Sequence, residues 1–247
     1  MILEIKDLHV SASDKMILDG LNLTIKQGEF HVLMGPNGSG KTTLAKAVMG
    51  YPGLKITKGD ILVDGKSILG LSTDRIAKLG LFLQFQAPVE IDGVGFVNFL
   101  KSSLESINDK TLNTREFMKD VKDYSAALKM DKGVVGRSLN KGFSGGEKKK
   151  AEILQMALIN PKLAILDEPD SGLDIDAIKV VAENINNIAK KNNQSLLVIT
   201  HYNRILSYMK PEFVHVISHG RIVKEGSLEL IEHLEKSGYE EFEDHNR

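Results

Sequence analysis

The segment GPNGSGKT at residues 35–42 constrains this chain more than any other stretch. It follows the apolar run EFHVLMG and leads into KTTLAKAVMG, whose apolar residues recur at helical spacing until Gly50 and Pro52 stop them. A strand, a glycine-rich turn and a helix start, in that order, are the context in which G-x-x-x-x-G-K-[ST] holds phosphate. Gly35, Gly38 and Gly40 let the main chain curl, so that successive N–H groups between Gly35 and Thr43 face an anion, with Pro36, Asn37 and Ser39 completing the loop. Lys41 adds a positive charge for the terminal phosphates, and the Thr42 hydroxyl suits magnesium. The expected ligands are therefore the phosphates of a nucleotide and Mg2+.

Around that loop the chain reads as strands and helices in alternation. MILEIKDLHV and MILDGLNLTI alternate with period two, GDILVDGK is a short strand closing on an Asp-Gly turn, STDRIAKLG is a capped helix and LGLFLQF a buried strand. Between residues 86 and 154 the apolar positions switch to helical spacing, with Phe117, Val121, Tyr124 and Leu128 on one stripe facing neighbouring helices. From PKLAILDEPD onward strands and helices alternate again, with helices over 174–190 and near 204–209, which implies a largely parallel sheet. The acidic end EEFEDHNR reads as a solvated, partly disordered tail.

Composition removes several function classes. A net charge of −1 offers no electrostatic footprint for nucleic acid. With no cysteine the chain can form no disulfide and supply no thiolate ligand, so a bound metal must sit on oxygen or imidazole. The N-terminus lacks a basic start followed by an apolar run, and no stretch approaches the ~18 apolar residues of a membrane span. A cytoplasmic protein with no segment inserted in a membrane is expected.

Phosphate chemistry also needs carboxylates at a neighbouring strand end. LAILDE provides Asp167 for magnesium and Glu168 to polarise the attacking water. LLVITH ends another core strand on His201, and Gln86 after LFLQF can reach magnesium or the water through its amide. A second glycine-rich turn, GFSGGEKKK at 142–150, offers the Ser144 hydroxyl and the Gly145 and Gly146 amides at a helix start. Residues 148–150 read as a solvated, phosphate-favouring helix face. One phosphate loop per chain leaves this second anion site without a nucleotide unless another copy or a similar subunit supplies it.

In this order the motifs resemble the ABC ATPase nucleotide-binding domain over essentially all 247 residues. The resemblance implies a P-loop NTPase fold of the α/β class: a mainly parallel core sheet, an antiparallel β subdomain and an inserted helical subdomain. The chain would be one domain, with 1–85 and 155–247 as the nucleotide-binding core and 86–154 as the helical subdomain. It also implies that FSGGE is the signature loop, usually L-S-G-G-Q, which closes on the partner's ATP in a head-to-tail dimer. Gln86 would be the Q-loop glutamine, His201 the switch histidine, and residues 171–174, ending in Asp174, the loop that crosses the dimer. Two departures stand out: Glu147 replaces the usual glutamine, and the segment that commonly carries an adenine-stacking aromatic reads VSASD, where neither Val10 nor Ala12 can stack.

Within that family DSGLDIDAIKVV, THYNRILSYMKPEFVHV and FQAPVEIDGV look very like the ATPases of the SUF iron–sulfur cluster assembly system. That likeness implies a SufB-like or SufD-like scaffold as partner, docked near residues 87–99, whose rearrangement ATP hydrolysis drives. An ATPase subunit of a membrane transporter shares every phosphate-site motif and is the alternative. A nucleotide-switched binding module without catalysis is a third reading.

Overall fold

The computed structural model describes residues 2–131, 133–201 and 203–242, with the side chain of residue 203 excepted. In chain order the elements are β1 (Leu3–Ala12), β2 (Lys15–Ile25), β3 (Phe30–Met34), α1 (Lys41–Val48), β4 (Lys55–Val63), β5 (Lys66–Ser67), α2 (Thr73–Lys78) and β6 (Leu81–Gln84). Then follow α3 (Phe96–Asn108), α4 (Thr114–Ala127), α5 (Gly145–Ile159), β7 (Leu163–Asp167), α6 (Ile175–Asn192) and β8 (Ser195–Ile199). The chain continues through α7 (Asn203–Leu206), β9 (Phe213–Ser218), β10 (Arg221–Gly226) and α8 (Leu228–Ser237).

Two sheets organise these elements. One is antiparallel, in the order β2-β1-β4-β5; the other runs β10-β9-β3-β8-β7-β6, parallel throughout except for β10 against β9. Strands β7 and β8 are buried at every position, as expected of a parallel sheet covered on both faces. Pleating divides their side chains: Leu166, Val198, Val32 and Met34 enter a core shared with α3 to α6, while Ile165, Leu197 and Leu33 enter a second core shared with α1 and the antiparallel sheet. The helical segment matches its periodicity, because Phe117, Val121 and Leu128 are buried in the first core and Tyr124 packs against it.

The helix expected near residues 204–209 is only the single turn α7. At the C-terminus Glu240–Phe242 form a 3-10 turn, with Phe242 packed on the core, and the rest of the acidic tail, residues 243–247, lies outside the described residues. Among the described residues, no helix is long and apolar enough to cross a membrane. Strands β3, β6, β7, β8 and β9 all point their carboxyl ends at one edge, where a parallel α/β sheet gathers ligands.

Candidate active site

Strand β3 delivers the chain into the glycine-rich loop, and two of its glycines are sterically obligatory. Gly35 has φ 154° and a Cβ there would lie 2.1 Å from the Ile217 carbonyl oxygen; Gly40 has φ 111° and a Cβ would lie 2.6 Å from Leu18 Cδ2. The loop thus lies pressed between β9 and β2, and Ser39, buried, accepts the Gly220 N–H at 3.0 Å through its carbonyl. Helix α1 then begins with no side-chain cap and no acidic residue in its first turn. Its first N–H groups, which have no partner within a helix, and the positive end of its dipole face outward for an anion.

Lys41 is buried, and its Nζ donates to the Gly35 and Pro36 carbonyls at 2.8 Å each. Burial pushes its pKa down to about 8, against the opposing pull of Glu168 and Asp167. A cavity of about 360 Å³ lies here, lined by Asn37, Gly38, Gly40, Lys41, Thr42 and Thr43 together with Gln86, Glu168 and His201. Larger clefts exist, including one of about 940 Å³ between β10 and α8, but none of the loop residues lines it.

Strand β7 ends on the two carboxylates. Burial pushes the Asp167 carboxyl up, a hydrogen bond from the Thr42 hydroxyl opposes this, and the neighbouring Glu168 charge adds to the rise. Asp167 Oδ1 is buried with no hydrogen-bond partner in the protein, an expensive arrangement. A hard cation would relieve it: the Asp167 carboxylate, the Thr42 hydroxyl and the Gln86 amide oxygen are the oxygen donors that Mg2+ prefers. Among the described residues no group of three His, Asp or Glu could hold a metal ion.

Glu168 leaves the strand in the left-handed region at φ 51°, a conformation that costs a non-glycine residue on the order of 1 kcal/mol or more. Its N–H donates to the Ile199 carbonyl at 2.8 Å, which pins the bend to β8. The bend brings the carboxylate between two residues that the sequence singles out for the same site. Gln86 Nε2 donates to Glu168 Oε2 at 2.7 Å, and His201 Nε2 lies 3.4 Å from Glu168 Oε1. Burial and the Lys41 charge push the His201 pKa down, so near neutral pH the imidazole is uncharged beside Glu168. The loop after β7 is tied to the end of β8 by the Thr200 hydroxyl, which donates to the buried Asp170 at 3.1 Å.

The second glycine turn is elsewhere. Ser144 caps α5 in a reciprocal box: its hydroxyl accepts from the Glu147 N–H at 3.2 Å and the Glu147 carboxylate accepts from the Ser144 N–H at 2.7 Å. The unusual Glu147 thus has a local role in helix initiation. Beside Gly145 and Gly146 runs the 171–174 loop, with Gly146 3.4 Å from Leu173 when given a Cβ, and Asp174 caps α6 by accepting the Ala177 N–H at 2.7 Å. Ser144, Gly145, Gly146 and Asp174 share one surface, and none of them lines the cavity that holds Lys41.

Val10 is buried in the core under the antiparallel sheet and Ala12 does not line the cavity; its outer wall is made by Lys15 and Ile17 at the start of β2. One expectation from the sequence needs correction: residues 148–150 are not one solvated face. Lys148 pairs with Glu90 at 2.7 Å and Lys150 donates to the Lys129 carbonyl, while Lys149 is buried and donates to the Phe85 and Gln86 carbonyls at 3.1 and 3.0 Å. One turn along, buried Glu152 accepts the Phe85 N–H at 3.0 Å, and burial pushes its carboxyl up to about 7 against the pull of Lys149. The only sequence signal for this pair is a Lys and a Glu three residues apart, continuing to Met156 on a helix that is otherwise apolar there.

The sequence and the fold are both similar to those of known proteins. Residues 18–171 match the family model described as ABC transporter. The chain is 50% identical over 243 residues to the "Probable ATP-dependent transporter ycf16" of Pyropia yezoensis, covering 97% of this chain and 96% of that protein. It is 48% identical over 242 residues to the "Probable ATP-dependent transporter SufC" of Escherichia coli strain K12, covering 96% and 97%. The fold overlays a dimeric ATP-binding cassette solved in a post-hydrolysis state with ADP and Pi, with TM-score 0.80 at 20% identity over 92% of this chain and 99% of that one. A family match over residues 18–171 and relatives about half identical along nearly the whole chain place it in one family: the chain belongs to the ABC transporter family, among its ATP-hydrolysing members.

Proposed function

We propose that hydrolysis proceeds in the cavity between Lys41 and Glu168, within a head-to-tail pair of chains in which Ser144, Gly145 and Gly146 of each copy close on the nucleotide held by the other. The observation that carries this reading is the Glu168 carboxylate, bent out of β7 and fixed by Gln86 beside the phosphate loop. Lys41 and the α1 amides bind the phosphates. Glu168 accepts a hydrogen bond from the attacking water, whose oxygen bonds to the γ-phosphorus as the bond to the ADP oxygen breaks; the water proton passes to the carboxylate or the released phosphate. His201, uncharged, orients the γ-phosphate end of the site, and Asp174 and its loop line the seam between the copies. Mg2+, held by Thr42, Asp167 and Gln86, would neutralise charge on the phosphate oxygens.

The two-copy arrangement is supported by the separation of the two glycine turns within one chain and by the exposed Ile175 beside the 171–174 loop. Hydrolysis is coupled to the rearrangement of a SufB-like or SufD-like scaffold in iron–sulfur cluster assembly in the cytoplasm. This finer reading rests on the likeness to SufC and on three exposed apolar residues, Val89, Ile91 and Val94, in the segment 87–99 expected to dock the partner, with exposed Phe85 just before it. A transporter subunit is the second reading, favoured by the word transporter in the relatives' names.

Glu168→Gln tests the chemistry. Turnover should fall by about a hundredfold or more, as for loss of a general base, while nucleotide binding persists and the mass in solution doubles with ATP. Full turnover in that variant would remove Glu168 from the mechanism. Affinity purification from the native cell separates the two couplings: a scaffold in the soluble fraction supports cluster assembly, and an integral membrane subunit overturns it.

A further inference from the structure

The helix that starts at Ser144 reaches the catalytic glutamine through two side chains that the reaction itself does not use. Lys149 and Glu152 lie one turn apart on α5, both buried, and face the chain just after β6. Lys149 Nζ donates to the Phe85 carbonyl at 3.1 Å and to the Gln86 carbonyl at 3.0 Å, and Glu152 Oε1 accepts the Phe85 N–H at 3.0 Å. Three main-chain groups of two successive residues are thus gripped by one helix, at a point where Phe85 and Gln86 have left the sheet and are exposed. From the same short segment the Gln86 amide reaches Glu168 at 2.7 Å.

Burying a lysine and a glutamate is expensive unless their hydrogen bonds are made, and truncating one leaves the other uncompensated. This pair does not close on itself: Lys149 Nζ and Glu152 Oε1 bond to the main chain at 85 and 86, and buried Gln84 joins the cluster, hydrogen-bonded to the Glu152 carboxylate and donating to the Phe85 carbonyl at 3.3 Å. An apolar pair would fill the same volume with no such cost. What the charged pair provides and an apolar pair could not is a fixed peptide orientation at Gln86.

We propose that Lys149 and Glu152 are positioning residues that set the Gln86 main chain from α5 and so aim its amide at Glu168. The inference rests on hydrolysis at Glu168 as proposed for this site. It joins two roles in α5, whose first turn carries Ser144, Gly145 and Gly146 and whose second holds the glutamine of its own chain's site. A displacement of α5 when its first turn meets a nucleotide is then transmitted to Gln86 through three hydrogen bonds within two residues.

The test uses the full chain and reads both turnover and local protection. Lys149→Met and Glu152→Leu should each lower kcat about ten- to hundredfold with the KM for ATP within about threefold, because the nucleotide cradle is untouched. Glu152→Gln, which keeps an acceptor for the Phe85 N–H, should recover most of what Glu152→Leu loses. Adding Lys149→Met to Gln86→Ala should cost no more than about threefold beyond Gln86→Ala alone, since both act through one side chain. Equal losses in the two backgrounds, or a Lys149→Met enzyme within about threefold of the parent, would overturn the proposal.

Amide hydrogen exchange provides the arm independent of catalysis. The peptide containing residues 85 and 86 should exchange at least about tenfold faster in Lys149→Met and Glu152→Leu, with peptides of the 35–43 loop unchanged. Unchanged protection at 85 and 86, or faster exchange throughout the chain, sinks the positioning role alone. A parent protein that shows this protection yet never hydrolyses ATP, alone or with its partner, sinks the hydrolysis reading alone. If Glu152→Leu does not fold, the exchange difference between Lys149→Met and Glu152→Gln decides the matter in the same way.

Discussion

Helices α1 and α5 both start on a glycine-rich turn, but they treat their first amides differently. α1 has no side-chain cap and no acidic residue in its first turn, so its orphan N–H groups stay open to an anion. α5 satisfies part of the same demand itself, through the Ser144 and Glu147 box, and places a carboxylate at its positive end. Each helix also carries a buried lysine tied to loop carbonyls, Lys41 to Gly35 and Pro36, Lys149 to Phe85 and Gln86. The Lys41 ammonium borders the cavity and can exchange its carbonyls for phosphate oxygens; the Lys149 ammonium cannot. The first start leaves its amides open for a ligand, whereas the second is satisfied by its own cap and, in the proposed pair, would bind only as a contributor.

The strongest challenge to that contrast is to remove one group from each start. Lys41→Ala should weaken ATP binding to a single chain by about a hundredfold, the scale of a lost charged hydrogen-bond donor at roughly 3 kcal/mol. Ser144→Ala should leave single-chain affinity within about twofold and cost on the order of 1 kcal/mol of stability through the lost cap. Turnover of the pair should still fall in Ser144→Ala. Titration with a fluorescent ATP analogue and thermal melting measure the two effects, and comparable affinity losses would erase the distinction between the helices.

The lysines allow a finer separation by pH. Lys41 has its pKa lowered to about 8, so the charge that meets phosphate is present below that pH and lost above it. ATP affinity should be flat below pH 8 and fall roughly tenfold per unit above it, with one proton taken up on binding. Calorimetry in buffers of different ionisation enthalpy counts that proton. Lys149→Met should leave this slope in place; a slope that vanishes with Lys149 would mean that the wrong lysine has been assigned to the nucleotide.

What can be read from the chain alone follows the range of the interactions involved. Gly35, Gly40 and Lys41 act within a few residues of one another, so their spacing carries their geometry, and Asp167 and Glu168 stand out because a buried parallel strand ends on them. The expected parallel sheet and the helical segment likewise rest on local periodicity. Lys149 reads as solvated because its burial depends on which turn of α5 lies under residues 85 and 86, more than sixty positions away. Val10 and Ala12 fall where a base platform would align in sequence. Irregular registers along β1 and β2, including one between Val10 and Ser11, instead leave Lys15 and Ile17 at the cavity wall. Nor does any residue pattern announce the left-handed turn at Glu168, which only the contact with Ile199 explains.

The smallest effect sharpens the contrast most, because it isolates charge from capping. Glutamine at 147 can still accept the Ser144 N–H, so Glu147→Gln keeps the box and loses only the favourable charge–dipole interaction, about 0.3 to 1 kcal/mol. In the proposed pair the same carboxylate would face a nucleotide that is itself strongly negative, and removing it should tighten ATP-driven pairing by about threefold in dilute salt. At physiological ionic strength charges more than roughly 8 Å apart are largely screened, so the gain should shrink as salt is raised. Sedimentation of Glu168→Gln with and without Glu147→Gln, at low and high salt, reads this directly. Weaker pairing in the double variant at low salt would show that the carboxylate holds the second copy, and the self-satisfied start of α5 would then be as much a binding site as that of α1.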